Sequence, residues 1–172
     1  MKKYLLLIIL LINTQLTSQT LNGFLGIKWK SIKPQVKLLM LNIEDVELID
    51  EDSDLLEFTG GKFAENNVKL WSFQFYNDFF FNVEVLLDTT DGEDSAIWYR
   101  VLNYLQDTHG KTKEFEKLDR NKTAILWYFY NEKGDLENLI QLTRTIRDGL
   151  ESEIEIIYTY IPIWLKKEAL NR

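Results

Sequence analysis

The chain predicts an α+β fold: an antiparallel sheet of about five to six strands with two main helices packed on one face. Three observations predict it. Aromatic and β-branched runs come in clusters instead of alternating one by one with helices, which indicates an antiparallel sheet. Two segments, around 32–41 and 97–105, repeat apolar residues at helical spacing. Proline and glycine are scarce, two and eight in 172 residues, so no flexible linker divides the chain. The expected order is helix, strands, helix, strands.

A leader precedes that fold. Lys2 and Lys3 open the chain, residues 4–12 form an unbroken apolar run, and residues 13–18 turn small and polar. That is the layout of a secretory signal peptide. The run falls short of the about 20 residues that a bilayer-spanning helix needs. Cleavage after Ser18 then leaves residues 19–172 as a single exported domain, periplasmic or extracellular, with no transmembrane segment.

The elements follow in order. Gly23 and Gly26 bend an extended entry segment. Ser31 suits a helix N-cap, with Pro34 in the first turn, where its missing N–H costs nothing. Ile32, Val36, Leu39 and Met40 share one face of that helix, and Asn42 stops it. Residues 55–59 read as a strand closed by Gly60 and Gly61. Residues 68–76 and 80–88 read as longer, aromatic strands. A plain two-residue turn at Asn77 and Asp78 pairs Phe73 with Asn82 and splits the apolar faces. An odd loop or a bulge pairs Phe73 with Val83 and keeps both faces in the core.

The second helix buries Ile97, Val101, Tyr104 and Leu105, flanked by Trp98 and Leu102, and Gly110 ends it. Residues 123–130 are apolar on both faces and read as a central strand. Residues 139–146 and 154–160 alternate. Pro162 opens a short C-terminal turn of helix that packs Trp164 and Leu165.

Composition excludes several functions. With no cysteine the chain has no disulfide, thiol nucleophile, cysteine zinc site or lipid-bearing residue. Its stability must come from a core stocked with five Trp, eight Tyr and ten Phe. The 27 acidic residues outnumber 20 Lys and Arg, giving a formal charge of −7. No basic cluster is present, which argues against nucleic acid and against anionic lipid as partners.

Four short motifs stand out: F-L-G-I-K-W-K-S at 24–31, G-G-K-F-A at 60–64, F-Y-N-D at 75–78 and T-H-G-K at 108–111. Together they resemble an uncharacterised family of short exported bacterial envelope proteins. That family shares an F-x-G-I-x-[WF]-G-x-S opening, a first helix, an aromatic hairpin and a second helix ending in Y-G-K. The resemblance implies an envelope location and an α+β fold, and no activity. This chain has Lys30 where the family favours glycine and His109 where it favours an aromatic. A fainter likeness is to small lipoproteins of outer-membrane assembly, from which the missing lipid-carrying cysteine sets it apart.

The catalytic inventory is thin. His109 is the single histidine, and its place at a helix C-terminus suits a partly protonated ring that caps the last carbonyls. No G-x-S-x-G elbow exists. Asp50, Asp52 and Asp54 imitate the first three ligands of a calcium loop, but Leu55 and Gly61 stand where that loop needs glycine and glutamate. These three aspartates are weak metal candidates, and a solvated acidic turn is the expected reading. Asp94 suits a helix cap. No cofactor is expected. Tyr76, Phe80, Tyr128 and Tyr130 fall on the strand faces opposite the core residues and are the candidate contact aromatics. The expected function is a soluble, non-enzymatic binding or scaffold domain of the bacterial envelope, with another envelope protein as partner. The alternatives are a small secreted carboxylate-dependent hydrolase, with a divalent metal at 50–54, and an immunity or inhibitor protein acting through its acidic surface.

Overall fold

Burial alternates along the strands, so the sheet has one dry face and one half-wet face. The computed structural model describes residues 21–89, 93–111, 114–117, 121–146 and 152–170. The expected leader, residues 1–18, lies outside the described residues.

The chain opens with a hairpin of β1 (Gly23–Phe24) and β2 (Ile27–Lys28), then helix α1 (Lys33–Leu41). Strands β3 (Val46–Asp52), β4 (Leu55–Gly60), β5 (Lys62–Phe63), β6 (Asn66–Tyr76) and β7 (Phe79–Leu87) follow. Helix α2 (Asp94–His109) leads to β8 (Glu114–Lys117), β9 (Lys122–Tyr130), β10 (Leu136–Thr145) and β11 (Glu153–Tyr160). Helix α3 (Ile161–Leu170) continues directly from β11. The main sheet runs β3-β4-β6-β7-β11-β10-β9-β8, all antiparallel, and β5 adds a short ladder to β6. Two meanders thus meet at their final strands, where Val83 faces Tyr158 and Val85 faces Ile156.

This corrects the expected sheet of five to six strands with two helices on one face in helix-strands-helix-strands order. The main path has eight strands, a hairpin precedes the first helix, and a third helix follows the last strand. The added edge strands explain the difference. β3 reads V-E-L-I-D-E-D and β8 reads E-F-E-K, and such acidic runs resemble turns. Charge on a sheet edge is nevertheless a common way to keep that edge from pairing with another molecule.

Helices α1 and α2 cover the dry face. Val36 and Met40 from α1, and Ile97, Trp98, Val101 and Leu105 from α2, join the core cluster that holds Trp71, Phe73, Val83 and Ile156. Ile32 and Leu39, expected in the buried stripe of α1, are exposed, as is Tyr104 of α2. Nor does Ser31 cap α1: Ile32 is the N-cap and supplies no side-chain bond. Asn42 does end the helix, its amide donating to the Leu38 carbonyl at 2.9 Å. Three tryptophans each donate the indole N–H to a main-chain carbonyl: Trp29 to Leu21, Trp71 to Gly60 and Trp127 to Gly110. A large ring is thereby buried with its one polar atom satisfied.

Helix α3 lies on the other face. Ile163 packs with Phe81 and Tyr160, and with partly buried Trp29 and Tyr76, in a second small cluster. Trp164 and Leu165, expected to pack, are instead 41% and 55% exposed.

The β6–β7 hairpin combines both solutions to the register problem. Asn77 and Asp78, at φ +49° and +66°, make the two-residue turn, so Tyr76 pairs with Phe79 and Phe75 with Phe80. A bulge then inserts Phe81, and pairing resumes with Gln74 opposite Asn82 and Phe73 opposite Val83. The extra residue turns Phe80 into the main core and Phe81 towards α3. The outer end of β7 also binds the entry segment: the Lys30 N–H donates to the Phe80 carbonyl at 2.8 Å, and the Phe80 N–H donates to that of Ser31 at 2.9 Å.

Candidate functional site

The half-wet face holds the site. Position 139 is leucine and 141 glutamine on β10, 157 isoleucine and 159 threonine on β11, 82 asparagine and 84 glutamate on β7. Helix α3 stands beside this surface as a wall, and a groove of about 760 Å³ lies between them. Its apolar lining comes from Leu136, Leu139, Ile157, Ile161, Trp164 and Leu165. Its polar lining includes Gln74, Asn82, Glu84, Gln141 and Thr159. Such a volume, apolar walls and a few convergent polar groups are the usual attributes of a binding cleft.

Part of the floor is already paired. The Thr159 hydroxyl donates to Asn82 Oδ1 at 2.7 Å, across the seam between the meanders. Gln141 Nε2 donates to Thr143 Oγ1 at 2.9 Å. Glu84 is different, because it is hydrogen-bonded to Glu155, another acid on the same face. Burial first, and then the Glu84 bond and charge, push the Glu155 carboxyl up to about 8. Lys122 pulls the other way and Glu153 adds to the rise. Two acids thus crowd this part of the floor, and Glu155 resists ionisation there. The arrangement differs from a glycosidase, whose carboxyls stand about 5–9 Å apart to admit a sugar bond and water.

The four candidate aromatics separate. Phe80 is fully buried and packs against Trp29 and Phe73, which corrects its expected exposure; the bulge at Phe81 reverses its face. Tyr76 is half-buried against the Phe81 cluster. Tyr128 is half-buried and pairs across strands with Leu139, while Tyr130 is 44% exposed and pairs with Leu136. The last two therefore flank the groove without lining it.

Asp50 and Asp52 lie along β3 and Asp54 in the turn after it. Asp50 Oδ1 accepts from the Glu51 N–H and Asp52 Oδ1 from that of Ser53, so both carboxylates brace local backbone. Lys167 approaches Asp54 at 3.9 Å. Lysines of α1 neutralise the segment: Lys37 bonds Glu51, and Lys33 Nζ donates to the Asp52 carbonyl at 2.6 Å. Among the described residues no three His, Cys, Asp or Glu side chains are grouped to hold a metal.

His109 ends α2 with its ring edge-on to Phe129 at 5.7 Å and Tyr158 at 6.1 Å. Burial lowers its pKa, so the expected charged cap is replaced by a neutral ring that completes the aromatic packing. Asp94 is the first residue of α2, not its cap, which is Glu93. Its carboxylate binds Ser152 and Arg144, the latter at 2.6 Å, and these bonds hold it below the usual aspartate range.

Sequence reasoning missed the groove because its wall is α3, expected as no more than a turn. The signal was present in V-E-V at 83–85 and I-E-I at 154–156, where a glutamate interrupts each of two apolar strands. Among the described residues no helix is long and apolar enough to cross a membrane. Compared with family models, curated proteins and solved structures, the chain has no significant match.

Proposed function

We propose that the chain is an exported binding domain of the bacterial envelope that holds another envelope protein at the groove beneath α3. The groove itself carries this reading: about 760 Å³ of open, mostly apolar concavity whose wall exposes Trp164 and Leu165. Exposed tryptophan beside leucine is costly in water and common where proteins meet. The placement of the titratable groups favours binding over hydrolysis. The His109 ring is packed edge-on to Phe129 and Tyr158, away from the groove lining, and Glu155 acts on Glu84 at close range instead of facing it across a substrate-wide gap. Export rests on the leader pattern of residues 1–18, and kinship with the resembled envelope family rests on the four short motifs.

Two measurements test the proposal. A neutral dye that brightens in apolar surroundings, N-phenyl-1-naphthylamine, is expected to bind the folded protein, with affinity about tenfold weaker in Leu139→Glu. A folded wild-type protein that leaves the dye dark removes the groove from consideration. Mass spectrometry of tagged protein from the envelope fraction is expected to show residues 1–18 gone. Recovery from cytosol with Met1 in place overturns export.

A further inference from the structure

Among the described residues, the charged side chains that line the groove are Glu84 and Asp135, and no lysine or arginine lines it. Behind Glu84 stands Glu155, and among the described residues the charges acting on Glu155 are Lys122 from β9 against Glu84 from β7 and Glu153 from its own strand. Among these described groups acid outweighs base at the floor. The walls offer leucine, isoleucine and tryptophan surface above that floor. An anionic lipid headgroup would meet repulsion here, and a wholly apolar chain would leave the acids unmatched. The complementary shape is an aliphatic side chain with an ammonium close by.

We infer that the groove receives a basic amphipathic segment of a partner protein, its aliphatic side chains on Leu139, Ile157 and Trp164 and a lysine ammonium on Glu84. The inference rests on the binding reading above and names the chemistry of the partner. The incoming ammonium supplies the positive charge that no described lining residue brings to Glu84. Net charge of the whole chain helps attract such a segment, but discrimination is set at Glu84.

The test uses short fluorescein-labelled peptides that share one leucine pattern and carry Lys, Gln or Glu at the polar positions. Anisotropy is read at physiological salt, where exposed charges are screened beyond about 8 Å. Wild type is expected to bind the Lys peptide about tenfold tighter than the Gln peptide, and the Glu peptide least. Glu84→Gln is expected to bring the Lys and Gln affinities together while leaving the Gln value unchanged. Asp107→Asn, on α2 across the sheet, is expected to keep the preference. If Glu84→Gln fails to fold, Leu139→Lys supplies the cation from within and is expected to abolish the preference in the same way. Equal binding of Lys and Gln peptides overturns the inference and leaves the binding reading standing. A preference weakened as much by Asp107→Asn as by Glu84→Gln also overturns it, because overall charge then suffices. No binding of any peptide, together with a dark dye, sinks both.

Discussion

Phe73 stands opposite Val83 although only Asn77 and Asp78 join their strands, because Phe81 bulges out between them. The bulge sends Phe81 to the far face, 1% exposed, where it seats Ile163 of α3. Phe81→Ala is expected to cost about 3 kcal/mol by urea denaturation, within the usual range for a buried phenylalanine. The groove should loosen with it, seen as weaker dye binding before global unfolding.

Lys30 occupies the left-handed region at φ +67°, at the position where the resembled family favours glycine. A side chain there costs about 1 kcal/mol that glycine avoids. Lys30 offsets part of this by placing its ammonium 5.1 Å from the Tyr160 ring centroid. Lys30→Gly is therefore expected to be more stable than Lys30→Ala by about 1 kcal/mol, the reverse of the order in a helix. Thermal melts of the two variants side by side decide it.

Gly60, at φ +79°, has no room for a side chain, since an added Cβ would lie 2.0 Å from the Asp45 carbonyl oxygen. Its own carbonyl accepts the Trp71 indole N–H at 2.8 Å. Gly60→Ala is expected to cost more than about 2 kcal/mol, from strain plus a displaced partner for the buried indole. A destabilisation under half that size would show that the β4–β5 turn can shift.

Stability is expected to fall as the solution goes from mildly acidic to neutral and then to level off above about 8. Glu155 holds its proton in the folded state up to about 8, against 4.5 when unfolded, so the folded chain binds the extra proton between those values. Its contribution is complete below 4.5 and lost as pH rises through about 8. The group is only half-buried, so the loss is on the order of 1 kcal/mol after solvent screening. Glu155→Gln is expected to flatten this slope between 4.5 and about 8, and melts across that range measure it.

The acid limb belongs to Asp94. Ser152 and Arg144 stabilise its carboxylate and lower its pKa, so its contribution is present above 3.8 and disappears as pH falls through the folded value. Asp94→Asn is expected to cost about 1 kcal/mol at neutral pH and to remove that part of the acid sensitivity. His109 contributes in the same direction at milder acidity, because its buried ring resists protonation.

The central strands were legible because their residues commit to one face: Phe73 and Val83 alternate with Ser72, Gln74, Asn82 and Glu84, and hydrophobic period fixes both element and side. The edge strands were not. Glu47, Asp50, Glu51 and Asp52 carry solubility on β3, and the same residues spell an acidic turn. The register of the hairpin was legible as a requirement, Phe73 against Val83, but the residue that supplies it was not. A bulge is selected by the packing of Phe81 on α3, which depends on the tertiary fold. The groove suffered likewise: Trp164 and Leu165 looked like core, but α3 packs through Ile163 on Phe81 and Tyr160, which leaves those two facing the open groove.

The join between β7 and β11 has a consequence for synthesis. Their ladder pairs Leu86 with Glu155 and Asn82 with Thr159, so the inner border of the first meander stays bare until residues 155–159 have emerged. Such a border is adhesive while it waits. A translation product stopped before residue 153 would keep it permanently, and would be destined for aggregation or proteolysis instead of partial activity.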